Sequence, residues 1–380
     1  MAKTCDLLGA VLCLCVCLIV VFTQHLGLEE NDICKQQDGL LWACQNLRNC
    51  PSAQADLKRG KRPEICTFVG NNPIVCCQPD LKNRMPPESQ RISSQKCKEY
   101  GKAVFNKVES PIGDGFIEID TCALVEPLIT NGTPANPREY PHMALIGYGP
   151  KNNIDWLCGG SLISERFVLS AAHCTNAGSK GLASWVRLGD YDIFSTDDDK
   201  NRHAESREYQ IIERINHPEY KSPSVYNDIA LYKLKDTIKF NEYVRPICLQ
   251  IDHTFAKTYA LGTGWGRVEW GGKQSGVLQK VNLTIIGRKE CVDTYKASIG
   301  PKLKNGIVDA SQLCAGDLAN GKDTCKGDSG GPLQIRLREP YCMYSQVGIT
   351  SFGVRCAANY PGVYTRVSHY VPWIESVVWA

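Results

Sequence analysis

Charge of one sign is scarce in this 380-residue chain: 43 Lys and Arg stand against 40 Asp and Glu, a formal net charge of +3. So small an imbalance makes neither nucleic acid nor an acidic surface the main partner. Helical periodicity is scarce too. From about Ile129 to the last few residues, apolar positions come in short runs broken by Gly, Pro and Asn, which argues against a helical fold. A long apolar run occurs at the amino terminus, where "LLGAVLCLCVCLIVVF", Leu7 to Phe22, follows Lys3 and precedes polar residues. That pattern predicts a secretory signal over residues 1–24 and hence a secreted, extracellular protein with no membrane or nucleic-acid partner. An uncleaved anchor is the competing reading, because about twenty apolar residues span a bilayer.

Cysteine, by contrast, is abundant. Twenty Cys residues would be a liability in a reducing cytosol and read as a disulfide framework formed outside the cell. Cys5, Cys13, Cys15 and Cys17 leave with the signal, so 20 − 4 = 16 remain. Six of these, Cys34, Cys44, Cys50, Cys66, Cys76 and Cys77, form a block within residues 33–77 that is too short to build much core and depends on crosslinks. A metal site is the alternative, but the block holds no His and no repeated pair of close ligands, so no metal is expected. The stretch "QPDLKNRMPPESQRISSQ" that follows has Pro, Ser and charge without apolar period, and reads as an exposed linker. The length alone favours two folded units.

From about Ile129 the chain changes to runs such as "HMALIGYG", "SLISERFVLSA", "IALYKL" and "QVGITSFG" between turn residues. Many short strands predict an all-β barrel or sandwich. The closing "YVPWIESVVWA" is the one plausible helix.

Chemistry concentrates in three places: "LSAAHC" carries His173, "YNDIALYKL" carries Asp228 and "GKDTCKGDSGGPL" carries Ser329. A serine hydroxyl is a poor nucleophile until a base takes its proton, and histidine does this well when a buried carboxylate fixes its tautomer and stabilises its cation. Singly, each residue has a structural reading: a His beside a Cys, an Asp opening a strand. The order His, Asp, Ser with all three contexts intact outweighs those readings.

On these motifs residues 129–380 resemble a chymotrypsin-family serine protease. The six-cysteine block with its linker resembles an arthropod clip-domain protease, and "CKEYGKAVF" together with Leu128 is most similar to the snake-like branch. The resemblance implies an all-β, chymotrypsin-like double β-barrel with a C-terminal helix, preceded by a small disulfide-rich clip domain at 33–77 and a linker and activation segment at 78–128. It makes His173 the general base and acid, Asp228 its orienter and Ser329 the nucleophile, with the N–H groups of Gly327 and Ser329 as oxyanion hole. Asp323 matches the base of the specificity pocket, between walls at Ser351, Phe352, Gly353 and Gly362, which implies cleavage after Arg or Lys. Lys326 departs from the neutral residue common at its position and points to acidic residues on the leaving-group side.

Ile129-Thr130-Asn131-Gly132 resembles the amino terminus of a mature protease of this kind. Cutting Leu128–Ile129 would free an ammonium to pair with Asp328 and order the site. A pocket ending in Asp323 accommodates Leu128 poorly, so the active form should not cut its own zymogen; an upstream activating protease of different specificity is expected. The family further implies a protein substrate, another clip-protease zymogen in a Toll-type or melanisation cascade, a serpin-type inhibitor and a haemolymph-type fluid. A digestive trypsin and an inactive protease-like binding module are the alternatives; the clip block and Leu128 oppose the first, the intact triad the second. The implied bridges are Cys34–Cys76, Cys44–Cys66, Cys50–Cys77, Cys158–Cys174, Cys291–Cys314, Cys325–Cys356 and Cys122–Cys248, leaving Cys97 for Cys342. No cofactor is expected. The acids of Gly189 to Lys200 leave calcium open against a solvated loop. Asn282 heads a glycosylation sequon; Asn131 heads another, where a glycan would crowd the new terminus.

Overall fold

The structure, a computed structural model, describes residues 28, 30, 32–37, 40–78, 90–110, 114–123, 133–195, 197–201, 203–253, 257–267, 272–316, 328–353 and 360–380. It divides into units 1–83 and 84–380. In the first, strands β1 (Ile33–Gln37), β2 (Leu40–Asn46), β3 (Ile65–Val69) and β4 (Asn72–Cys77) form an antiparallel sheet in the order β1-β2-β4-β3. Helix α1 (Pro51–Lys58) opens with Pro51 in its first turn, where the missing N–H costs nothing. Among the described residues the buried apolar side chains besides cysteine are few, Ala53, Ile74 and Val75. Three disulfides, Cys34–Cys76, Cys44–Cys66 and Cys50–Cys77, therefore supply the restraint that so small a core does not.

The second unit starts with α2 (Ile92–Gly101), the hairpin β5 (Phe105–Glu109) and β6 (Phe116–Asp120), and the short β7 (Thr133–Pro134). Six strands then close a barrel in the order β10-β13-β12-β11-β8-β9: β8 (Met143–Tyr148), β9 (Asp155–Leu162), β10 (Phe167–Ser170), β11 (Ala183–Leu188), β12 (Arg207–Asn216) and β13 (Ala230–Leu234). The one-turn α3 (Asp197–Lys200) precedes β12, and β14 (Cys248–Leu249) leads into the second half. There β15 (Tyr259–Gly264), β16 (Gln279–Ile286), β17 (Gln312–Gly316), β18 (Pro332–Arg336), β19 (Tyr344–Phe352) and β20 (Gly362–Arg366) run β19-β18-β15-β16-β17-β20, and pairing of β19 with β20 closes a second barrel. Helix α4 (Arg288–Tyr295) follows β16, and α5 (Val367–Val378) ends the chain. The double barrel with its C-terminal helix is the architecture expected.

Closure removes sheet edges and gives each barrel its own filling. Ile146, Leu162, Leu169, Val186 and Leu231 belong to the buried cluster of the first; Leu283, Leu313, Leu333 and Val347 to that of the second. Val367, Tyr370, Val371 and Ile374 recur at helical spacing, and all four are buried, so α5 presents one apolar face to the first core. Among the described residues no helix is long and apolar enough to cross a membrane; Leu7 to Phe22 lies outside them.

Three expectations need correction. The closing segment is not the one helix, since α1, α2 and α4 each span eight residues or more. Their apolar faces are narrow, so periodicity hid them. The stretch read as an exposed linker is not exposed at its end: Arg91 and Ser93 are buried, and both bind Glu375 of α5, Arg91 at 2.6 Å and the Ser93 hydroxyl at 2.6 Å. Finally, the expected bridges Cys97–Cys342 and Cys122–Cys248 are exchanged. The structure joins Cys97 to Cys248 and Cys122 to Cys342, with Cα atoms 5.1 and 5.9 Å apart. Helix α2 packs on β14, which puts Cys97 beside Cys248. The hairpin then turns back: Thr121 N–H donates to Val104 O at 3.0 Å, and Tyr341 OH donates to Asp120 at 2.9 Å, so Cys122 arrives beside Cys342. Cys158–Cys174 and Cys291–Cys314 are also joined. Cys325 and Cys356 lie outside the described residues.

Candidate active site

His173 sits in a single 3-10 turn, Ala172–Thr175, directly after β10. Cys174 ties that turn to β9 through Cys158. Asp228 stands two residues before β13, after Asn227, which takes a left-handed φ of 55°. Asn227 can hold that conformation because short polar side chains tolerate it, and because Tyr370 OH of α5 donates to its Oδ1 at 2.8 Å. Thr365 Oγ1 of β20 donates to Asp228 O at 2.8 Å. The aspartate backbone is thus held from both ends of the chain's last hairpin-to-helix segment.

Its carboxylate is 3 % exposed and meets three donors. Oδ1 accepts from the His173 backbone N–H at 2.9 Å; Oδ2 lies 2.7 Å from His173 Nδ1 and accepts from Ser351 Oγ at 2.5 Å. An ionised carboxylate only accepts, so Nδ1 carries the proton of this bond and Nε2 is left with its lone pair. Burial by itself pulls the His173 pKa down; the charge of Asp228 and its hydrogen bond outweigh that, and the pKa stands above the ordinary value of 6.5. The imidazole is therefore a better base than a free one.

Ser329 lies in the turn before β18. Its carbonyl accepts from Gly159 N–H at 2.8 Å, while Gly330 N–H donates to Thr350 O at 2.8 Å. Gly330 has φ 80°, and a Cβ there would stand 2.2 Å from Ser170 Oγ and 2.6 Å from Gly159 O, so only glycine fits. Asp328, next to the serine, accepts from Gly266 N–H at 2.8 Å. The glycines of "GTGWG" make that approach possible: a Cβ on Gly264 would fall 2.0 Å from Asp328 Oδ1.

Other residues singled out from the sequence divide into four groups. Ser351, Phe352, Gly353 and Gly362 lie at the adjoining end of β19 and start of β20, as pocket walls would, but the Ser351 side chain is turned to Asp228 and Phe352 packs edge-on against Tyr295 at 5.7 Å. Asp323, Lys326, Gly327, Leu128, Ile129 and Asn131 lie outside the described residues. In the acidic stretch Asp197 pairs with Lys200 at 2.7 Å, and Asp199 accepts from Ser206 N–H and Oγ at 2.8 and 2.7 Å. Asn282 is exposed in β16. Sequence reasoning missed Asn227, Thr365 and Tyr370 altogether. The Asn before "DIALYKL" was the one local hint, since Asn favours turns.

Two closed barrels with a buried aspartate, an Nδ1-bonded histidine and a glycine-flanked serine brought to one end of them define a serine endopeptidase of the trypsin fold. The comparisons agree: the family described as Trypsin matches residues 129–374. "Serine protease snk" of Drosophila melanogaster is 39 % identical over 360 residues, 92 % of this chain and 79 % of the relative. "Phenoloxidase-activating factor 1" of Holotrichia diomphalia is 31 % identical, covering 90 % of this chain and 92 % of its own. "CLIP domain-containing serine protease B4" of Anopheles gambiae is 34 % identical, covering 80 % and 87 %. The chain belongs to the trypsin family of serine endopeptidases, among the arthropod clip-domain proteases of the snake-like branch.

Proposed function

We propose that this chain is the secreted zymogen of an endopeptidase that cuts after Arg or Lys, and that it relays a proteolytic signal outside the cell. Ser329 attacks the scissile carbonyl while His173 Nε2 takes its proton and returns it to the leaving amine. Asp228 holds the imidazole and stabilises its cation, and the N–H groups of Ser329 and Gly327 receive the oxyanion. Asp323 at the pocket base pairs with the substrate cation. The observation that carries the reading is the 2.7 Å bond between His173 Nδ1 and an Asp228 closed off from solvent.

Cleavage of Leu128–Ile129 by an upstream protease starts the activity, because the new ammonium pairs with Asp328 and orders the turn that carries Ser329. Leucine on the acyl side of that bond suits an activator unlike the enzyme itself. The names of relatives such as the phenoloxidase-activating factor support a downstream protein substrate, here another clip-protease zymogen in a haemolymph-type fluid, with a serpin-type inhibitor ending the signal. The test is to incubate the activated protein, and its Ser329→Ala form, with a purified clip-protease zymogen and sequence the new amino termini. Termini that follow Arg or Lys with the first and not the second support the reading; none with either overturns it.

A further inference from the structure

Lys280 and Glu139 form an ion pair outside the triad that the chemistry does not use. Lys280 Nζ lies 3.0 and 2.9 Å from the two carboxylate oxygens of Glu139, and the residues are 4 % and 3 % exposed. Burying two charges carries a desolvation cost, and well-packed apolar residues often serve stability as well or better. What the pair does contribute is geometry, and its place in the fold says to what.

Glu139 lies just before β8 of the first barrel and Lys280 in β16 of the second. Glu139 Oε2 accepts from Asn136 N–H at 2.8 Å and Glu139 N–H donates to Asn136 O at 3.1 Å, so the carboxylate closes the turn 136–139. Lys280 is in β16, where its backbone stands opposite Thr133 of β7, and Ala135 N–H donates to Leu278 O at 2.8 Å. One residue of β16 therefore grips the first described stretch of the catalytic region, 133–139, by main chain and by side chain. The next strand over is β15, with Gly264 opposite Gln279 and Thr263 opposite Lys280. At its end, Gly264 and the following Gly266 form the cradle of Asp328. The grip on the amino-terminal segment and the seat of the acceptor carboxylate are thus built on two paired strands.

We propose that the Lys280–Glu139 pair is a positioning device for activation: it pins 133–139 beside the Asp328 cradle, so that the ammonium freed at Ile129 is delivered to Asp328. This rests on the activation reading above. Ile129 is four residues from Thr133, a reach of about 14 Å at full extension, so an anchor at Thr133 confines the new terminus to the neighbourhood of Asp328 before it inserts. Without the anchor the terminus samples a larger volume, and the inserted fraction falls.

The test compares two full-length proteins, each with Leu128→Lys so that immobilised trypsin opens the activation bond; one also carries Lys280→Met and Glu139→Gln, which removes both charges and leaves no ion buried alone. N-terminal sequencing shows Ile129 as the new terminus in both. Two readouts follow: the rate at which potassium cyanate carbamylates the Ile129 amine, and the alkaline limb of kcat/KM, where the ammonium deprotonates and is lost from Asp328. The anchored protein should be modified roughly tenfold more slowly, and its alkaline limb should lie about one pH unit higher, the two being the same change in insertion equilibrium. The acid limb, set by His173, should coincide in both. A loss of thermal stability with equal carbamylation rates and equal alkaline limbs overturns the proposal and leaves the activation reading standing. If the reference protein is carbamylated as fast as a free peptide and keeps full activity afterwards, insertion itself fails, and the proposal with it.

Discussion

Ser351 donates its hydroxyl to the Asp228 oxygen that also bonds His173 Nδ1, at 2.5 Å. A residue expected to line the pocket thereby serves Asp228, and the carboxylate gains a support beyond the histidine itself. Ser351→Ala should lower kcat roughly tenfold, the scale of one hydrogen bond to a charged group, with KM for an Arg peptide little changed. Steady-state kinetics decides it: a rise in KM at constant kcat would return Ser351 to the pocket.

The raised pKa of His173 fixes the pH dependence. Activity needs the neutral imidazole, so kcat/KM should fall as pH drops through a value above 6.5. Asp228→Asn removes the charge that raises it, should move that limb to lower pH, and should cut kcat about 10⁴-fold. Stability runs the opposite way: because the folded pKa is raised, the pair's contribution is full below the unfolded value of 6.5 and is lost as pH rises through the folded value. A pH–rate profile and thermal scans across the same range check both signs.

Glu375 holds Arg91 at 2.6 Å with side chains 14 % and 1 % exposed. Glu375→Ala leaves a buried guanidinium alone and should cost about 3–5 kcal/mol, whereas Arg91→Met with Glu375→Leu should cost far less. Urea unfolding of the two variants measures the difference; equal losses would show that packing, not charge, holds the segment.

Non-reducing peptide mapping should find Cys97 with Cys248 and Cys122 with Cys342. After cleavage at Leu128–Ile129 either bridge alone keeps the two chains together, so Cys122→Ser with Cys342→Ser should still migrate as one species without reductant. Separation of the chains in that variant would disprove the pairing.

Leu128→Lys turns the activation bond into one that an Asp323 pocket accepts. Seeded with its own active form, that zymogen should activate autocatalytically with a lag that shortens as seed increases, while the parent zymogen stays silent. If the variant also stays silent although trypsin opens it, leucine is not what isolates the enzyme from itself.

His173, Asp228 and Ser329 were legible because each lies in a local motif whose neighbours are needed for the chemistry. Their supports were not: Ser351, Thr365 and Tyr370 reach Asp228 or Asn227 across 123, 137 and 143 residues. Such contacts exist only once the second barrel and α5 have closed. The burial of Arg91 was hidden for the same reason, its partner lying 284 residues away. The resemblance supplied Cys122 and Cys248 and parity left Cys97 and Cys342, but choosing between pairings takes the direction of α2 and of the β5–β6 hairpin, which composition does not carry. The strand-rich architecture was legible from turn spacing; the short helices were not, since their apolar stripes are too narrow to register.

The supports of Asp228 also impose an order of assembly. Thr365 of β20 and Tyr370 of α5 lie 137 and 143 residues beyond the groups they hold, so these two holds on the aspartate form only with the second barrel and α5. The first barrel alone carries the histidine and the aspartate but neither of these two supports. The base is therefore completed by both halves of the catalytic region together, and not by the half that carries it.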